Sequence, residues 1–218
     1  MRSLITGLLA ALILQGPSPE GFDAKVLRIV DGDTIVVRSD DGARLRIRLI
    51  NIDTPESHYK GSGQEPWAGM ATRRLMRLAP VGSRVRIRTP ARPLDVYGRT
   101  LGLVSRGETN INLKLVREGL ALPYLVYPAM DMAMEFADAC AEARHEGLGV
   151  FSPGRPLPEE SAQFRLRISG RSPYWWVGNL RTRRYGPPES FGRYLPEERI
   201  LFESEEQAKA AGYEREEP

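Results

Sequence analysis

The side chains that could carry chemistry are carboxylates and guanidiniums near the ends of short apolar segments. Asp33, Asp53 and Glu56 are the acidic members, and Arg48 and Arg99 are the basic ones. Carboxylate oxygens are the ligands that hard cations such as Ca²⁺ and Mg²⁺ prefer. A guanidinium donates two parallel hydrogen bonds to a phosphoryl group. Each residue alone also fits a turn or a strand exit, so the combination, rather than any one member, favours chemistry on a phosphoryl group.

Composition narrows the kind of site that is possible. Cys140 is the single cysteine, which excludes an intrachain disulfide framework and a multi-cysteine metal site. His58 and His145 are the only histidines, so any catalytic metal must be held mainly by oxygen. The net charge of +3 permits an anionic partner without requiring one.

The segments around Asp33 and Arg48 are predicted to be strands. Residues 26–30, 34–37 and 43–52 are apolar segments separated by Asp-Gly turns, a pattern typical of a three-stranded meander. In the third segment leucine and isoleucine alternate with Arg44, Arg46 and Arg48. Because side chains alternate across a strand, one face is apolar and the other carries a row of guanidiniums.

Helices and two more strands complete the first unit. An apolar stripe at helical spacing begins near Pro66, and further helices are predicted around residues 111–118 and 130–146. Cys140 and Phe136 share the stripe of the last helix, which favours a buried structural thiol. Strands are predicted at 84–88 and 101–105. The prediction is mainly β with α: a five-stranded OB-type barrel with three helices.

The two ends of the chain differ from this unit. Residues 1–16 combine a positive start with an apolar run too short to cross a bilayer, which resembles an export signal; an uncleaved tether or a buried helix are the alternatives. Residues 153–163 read as a linker, and residues 164–218 as a small α+β domain. In that domain the alternation of Phe164, Leu166 and Ile168 predicts a strand, and Ser204 begins a capped helix.

Five segments of the chain carry a family resemblance. They are Val30 to Thr34, Arg48 to Glu56, Tyr97 to Arg99, Leu115 to Ala121 and Gly149 to Ser152. In this order and spacing they resemble the staphylococcal (micrococcal) nuclease family, the thermonucleases, over residues 24–152. The resemblance implies an OB-type barrel with three helices and a calcium-dependent phosphodiesterase that cuts DNA and RNA and leaves 3′-phosphates.

The resemblance also implies a role for each site residue. Asp33 and Asp53 would ligate one Ca²⁺ ion, together with the backbone carbonyl of Thr54. Glu56 would position or deprotonate the attacking water, and the nearby cation and arginines are expected to hold its pKa down. Arg48 and Arg99 would bind the scissile phosphate, and Tyr97 and Tyr127 would contact substrate.

The C-terminal residues resemble the small zinc module of the bacterial Ada DNA-repair protein. The similar segments are Trp175 to Asn179, Arg184 to Glu189 and Phe202 to Tyr213. The ligand cysteines of that module are replaced here, at Gly186 and Glu189 among other positions. We therefore expect no zinc, and stability that depends on aromatic packing or on docking against the barrel.

Together these observations predict an exported, calcium-dependent endonuclease acting on DNA or RNA. We expect it to be periplasmic, held at the cell envelope or secreted, monomeric and without a stable membrane span. The alternative is a nuclease-fold module that binds nucleic acid or a protein without cutting it.

Overall fold

A computed structural model describes residues 21–217 of the chain. The export signal predicted for residues 1–16 lies outside the described residues.

The first unit begins with the predicted meander. Strands β1 (Phe22–Ile29), β2 (Thr34–Ser39) and β3 (Arg44–Leu49) pair antiparallel in sequence order. A short strand β4 (Asn51–Asp53) follows, and Asn51 turns the chain with a φ of 66°. Helix α1 (Trp67–Leu78) begins after Pro66, as its apolar stripe predicts.

Two further strands close the barrel. Strand β5 (Arg84–Arg88) pairs with β1, and β6 (Thr100–Arg106) pairs antiparallel with β5. Strand β6 also pairs in parallel with β3, so the five strands form a closed ring. Ile35, Ile47 and Ile87 are fully buried inside it. The predicted five-stranded OB-type barrel is confirmed.

Two further helices and two short strands follow the barrel strands, and the helices pack into the same core. The two-residue strand β7 (Thr109–Asn110) leads into α2 (Ile111–Arg117), where the Asn110 side chain accepts a hydrogen bond from the Leu113 amide at 3.0 Å. Strand β8 (Leu122–Tyr124) pairs with β4, and α3 (Ala133–His145) follows. Cys140 is buried on α3, as the stripe predicts.

The C-terminal residues form a second, α+β unit. It contains α4 (Ser161–Ser169), β9 (Trp176–Asn179), β10 (Arg184–Gly186), β11 (Arg199–Phe202), α5 (Glu205–Ala210) and β12 (Glu214–Arg215). The strands are ordered β11-β9-β10-β12. Tyr185 and Phe202 are fully buried in its aromatic core.

One sequence prediction in this unit is wrong. The alternating residues of 164–168 form helix α4 rather than a strand, and α4 begins at Ser161, inside the stretch read as a linker. The first and last residues of this alternation, Phe164 and Ile168, are four apart, so they also share one face of a helix, together with Ser161. Phe164 is buried at this face, so packing decides for the helix.

The C-terminal unit is docked against the barrel unit by specific contacts. The Leu201 amide donates to the Leu125 carbonyl at 2.8 Å, and the Tyr127 amide donates to the Leu201 carbonyl at 2.9 Å. Arg144 of α3 donates two hydrogen bonds, at 2.7 and 2.9 Å, to the buried carboxylate of Glu197. The two units therefore share a hydrogen-bonded interface.

Within residues 21–217, no helix has the length and apolar character that a membrane crossing requires.

Candidate active site

The first carboxylate of the site is fixed by the β1–β2 turn. The Asp33 carbonyl accepts a hydrogen bond from the Leu49 amide at 2.8 Å, which ties the turn to the end of β3. Its carboxylate accepts from the Thr54 amide at 3.1 Å and the Thr54 hydroxyl at 3.0 Å. A Cβ on Gly32 would lie 2.7 Å from the Thr54 hydroxyl oxygen. A glycine at 32 is therefore required for this close approach.

The second carboxylate and an arginine meet Asp33 at the same point. Asp53 ends β4 and is buried, as is Asp33. One nitrogen of Arg48, Nη2, lies 3.1 Å from an oxygen of Asp33 and 3.1 Å from an oxygen of Asp53. Its other terminal nitrogen donates to the Leu49 carbonyl at 2.6 Å. The structure thus brings together Asp33, Asp53 and Arg48, as the sequence predicts.

A further acidic residue, Asp31, belongs to this cluster and was not singled out from the sequence. Its side chain accepts a hydrogen bond from the Asp33 amide at 3.1 Å. Burial and the negative charge of Asp33 raise the pKa of Asp31 to about 6. For Asp33 burial acts in the same direction, but Arg48 and the Thr54 hydrogen bonds outweigh it and lower the pKa. The Asp-Gly-Asp turn could have indicated that Asp31 lies close to Asp33, since the two aspartates flank a single glycine.

Glu56 lies on the loop after β4 and is held by Gln64. The Glu56 amide donates to the Gln64 side chain at 3.0 Å, and the Gln64 amide donates to the Glu56 carbonyl at 2.8 Å. Burial raises the pKa of Glu56, and the opposing attraction of Arg165 is smaller. The expectation that a bound cation and the arginines together hold this pKa down stays a prediction for the metal-loaded site.

Arg165 reaches this cluster from α4 and was not among the predicted site residues. Its two terminal nitrogens donate to the two oxygens of Asp53 at 3.0 and 2.9 Å. One of them also donates to Glu56. The alternation of residues 164–168 predicts a strand of the C-terminal domain, and nothing in that pattern relates Arg165 to Asp53.

The remaining predicted site residues lie apart from this cluster. Arg99 directly precedes β6, which pairs with β3, and it donates to the Asp95 carboxylate at 2.7 Å. Its guanidinium lies 5.4 Å from the ring centre of Tyr97, which is 79% exposed. Tyr127 packs against Phe202 of the C-terminal unit, with 5.6 Å between ring centres. None of the contacts described for residues 21–217 joins these residues to the carboxylates.

The converging carboxylates suit a hard cation. Since Nη2 of Arg48 contacts both Asp33 and Asp53, an ion at the same point would be within reach of an oxygen from each. The Thr54 amide and hydroxyl both donate to Asp33, which holds this residue beside the two carboxylates. Within residues 21–217, no three histidine, cysteine, aspartate or glutamate side chains are arranged to hold a metal ion by themselves. Asp33 and Asp53 alone would leave part of an ion's coordination shell to backbone oxygen, water or substrate.

Comparison with known proteins gives consistent matches. The family described as "Staphylococcal nuclease homologue" matches residues 46–153. The thermonuclease of Staphylococcus intermedius is 35% identical over 126 residues, which cover 58% of this chain and 74% of that protein. The micrococcal nuclease of Shigella flexneri is 35% identical over 168 residues, which cover 70% of this chain and 89% of that protein.

A longer relative matches almost the whole chain. Endonuclease YhcR of Bacillus subtilis is 30% identical over 208 residues, which cover 91% of this chain. This chain spans 17% of the length of that protein. The similarity extends into the C-terminal unit, well past the family match that ends at residue 153.

Proposed function

Because this chain belongs to the staphylococcal nuclease family, we propose that it is an endonuclease that hydrolyses phosphodiester bonds of DNA, of RNA or of both. We further propose that Ca²⁺ is its cofactor and that it leaves 3′-phosphate ends. The observation that carries the proposal is the convergence of Asp33, Asp53 and Arg48 beside Glu56.

The chain's own residues would divide the work as follows. Asp33, Asp53 and the Thr54 carbonyl would hold the ion. When bound, the ion would supply positive charge that stabilises the charge developing on the phosphate oxygens. Arg48 and Arg99 would donate hydrogen bonds to the same phosphate, and a guanidinium can do so through two parallel N–H groups.

Glu56 would act on the water. Its carboxylate would orient a water molecule for attack on phosphorus and accept the proton that the water loses. The bond from phosphorus to the 5′-oxygen breaks, and the leaving oxygen takes a proton from solvent. The phosphate stays on the 3′-oxygen, which accounts for the proposed product.

The experiment is a cleavage assay on single-stranded DNA and on RNA. We expect fragments with CaCl₂ and none after a chelator is added, and 3′ ends that a polymerase extends only after phosphatase treatment. Glu56→Gln should abolish cleavage while binding persists, and the exposed Glu108→Gln serves as the matched control. Binding without cleavage in the unaltered chain would support the non-catalytic module instead.

Export is a further part of the proposal, and it rests on residues 1–16 alone. An intact-mass measurement on protein from the culture medium and from the cell envelope tests it. A mass that lacks about the first sixteen residues supports cleavage of a signal. The full mass in the envelope fraction supports an uncleaved tether, and the full mass in the cytoplasm contradicts export.

A further inference from the structure

Arg165 occupies acceptor positions that a bound cation would need. Both oxygens of Asp53 accept from Arg165, and one of them also accepts from Arg48. An ionised carboxylate offers about four lone-pair positions, so three of those on Asp53 are already in use. Glu56, the proposed base, also accepts from Arg165.

Packing of α4 fixes Arg165 at this place. Ser161, Ala162 and Phe164 of the helix are buried, and the Ser169 hydroxyl lies 2.7 Å from that of Tyr59 on the loop after β4. Gln64 connects the two sides, because its side chain accepts from the Glu56 amide and donates to the Glu159 carbonyl at 2.9 Å. The loop that carries Glu56 and the helix that carries Arg165 therefore form one hydrogen-bonded structure.

We infer that Arg165 competes with the divalent cation for Asp53, so that the C-terminal unit lowers the cation affinity of the barrel. The inference rests on the proposed function, which places the ion between Asp33 and Asp53. A guanidinium on the ligands repels the ion and occupies its acceptors. Coupling of this kind is reciprocal, so cation binding must weaken the contact of α4 to the same extent.

The test is a calorimetric titration of the full chain with CaCl₂. We expect Arg165→Gln to bind Ca²⁺ about tenfold or more tightly than the unaltered chain, within the usual range of coupling between two sites. Arg167→Gln is the matched control, since Arg167 lies on the same helix and pairs with Glu159 instead. In the unaltered chain, CaCl₂ should also speed amide hydrogen exchange in residues 161–169.

Each outcome decides a different point. Equal or weaker binding by a folded Arg165→Gln chain, together with exchange in α4 that CaCl₂ leaves unchanged, overturns the inference while the proposed function stands. If Arg165→Gln does not fold, the exchange measurement on the unaltered chain decides alone. If neither chain binds Ca²⁺ and neither cleaves nucleic acid, the proposed cofactor and this inference fail together.

A second observation concerns the outer face of β3. Arg44 and Arg46 are exposed on the face that also carries Arg48, at intervals of about 7 Å along the strand. Among the described residues, neither has an ion-pair partner, and β2 and β3 contain no acidic residue. Arg44 lies directly opposite Arg38 of β2, also exposed. Like charges directly opposite on neighbouring strands are destabilising, and a polyanion would relieve that repulsion.

We propose that the nucleic-acid backbone runs along this face, from the scissile phosphate at Arg48 to Arg44. This proposal also rests on the proposed function, because it extends the same substrate site. We call Arg44, Arg46 and Arg48 the arginine track. The guanidiniums of Arg44 and Arg46 would each neutralise one phosphate that flanks the scissile one and release its counterions.

The track is tested by the salt dependence of binding to a fluorescent single-stranded DNA oligonucleotide in EDTA. Removing two phosphate contacts in Arg44→Gln/Arg46→Gln should flatten the slope of log K against log[salt] by about 1.4, at about 0.7 per contact. Arg77→Gln/Arg117→Gln removes the same charge from the exposed faces of α1 and α2 and is the control. Equal slopes for the two double variants overturn the track, whether or not the chain cleaves DNA in CaCl₂.

Discussion

Replacing Arg48 with lysine tests whether the shape of the guanidinium matters, beyond its charge. Arg48 contacts three oxygens through two nitrogens: one on Asp33, one on Asp53 and the Leu49 carbonyl. Lysine keeps the charge, but its three N–H groups spread from one nitrogen, so it cannot hold the carbonyl and also donate two parallel hydrogen bonds to a phosphate.

The expected loss follows from the hydrogen bond that lysine cannot make. A hydrogen bond involving a charged group contributes about 1.5–3 kcal/mol. If that bond acts in the transition state, its loss lowers kcat/KM about 10- to 150-fold, because 1.36 kcal/mol corresponds to a factor of ten. The side chain of Arg48 is only 13% exposed, so solvent can do little to replace the missing donor.

Initial rates of cleavage of a fluorogenic oligonucleotide in CaCl₂ measure this effect. The Arg117→Lys variant, on the exposed face of α2, should match the unaltered chain. Urea unfolding of both variants separates lost activity from lost structure. A folded Arg48→Lys chain with kcat/KM within threefold of the unaltered protein would refute the bidentate role.

Other predictions concern the interface and the buried core. Burial alone would raise the pKa of Glu197, but the hydrogen bonds that it accepts from Arg144 outweigh burial and lower this pKa. The ionised Glu197 carboxylate therefore contributes its full stabilisation above pH 4.5, its ordinary pKa, and this stabilisation is lost as the pH falls through the lowered pKa of the folded state. The urea midpoint should therefore fall less steeply with decreasing pH in Glu197→Gln than in the unaltered chain. Burial raises the pKa of the Cys140 thiol, so it should not react with Ellman's reagent in the native protein and should react fully in guanidinium chloride. Fast reaction in the native protein would contradict the packing of α3. Phe202 is fully buried against Tyr213, with 5.0 Å between ring centres, so Phe202→Ala should cost about 3–5 kcal/mol of unfolding free energy and open the C-terminal unit to limited proteolysis. Unchanged urea and protease resistance would show that the aromatic core does not hold this unit.

Much of the barrel could be predicted, because the sequence patterns that indicate its strands, turns and first helix each lie within a few neighbouring residues. The Asp-Gly turns and the alternation in β3 follow from backbone geometry within a few residues, and the stripe of α1 repeats with the helical period. The aspartates and Arg48 could be grouped for the same reason, since they flank short strands that adjoin in sequence. Helix α4 could not be predicted in this way, because in nine residues the hydrophobic pattern repeats too few times to distinguish a helix from a strand.

The sequence by itself determined the barrel, the type of donor atoms available to a metal and the resemblance to a nuclease family. It could do so because strand alternation, turn chemistry and motif spacing are all properties of neighbouring residues. Only the tertiary structure decided that Arg165, 112 residues after Asp53, contacts that carboxylate. It also decided that burial raises the pKa of Glu56. The Arg165 contact depends on how the C-terminal unit packs against the barrel, and desolvation and long-range ion pairs both arise only from tertiary packing.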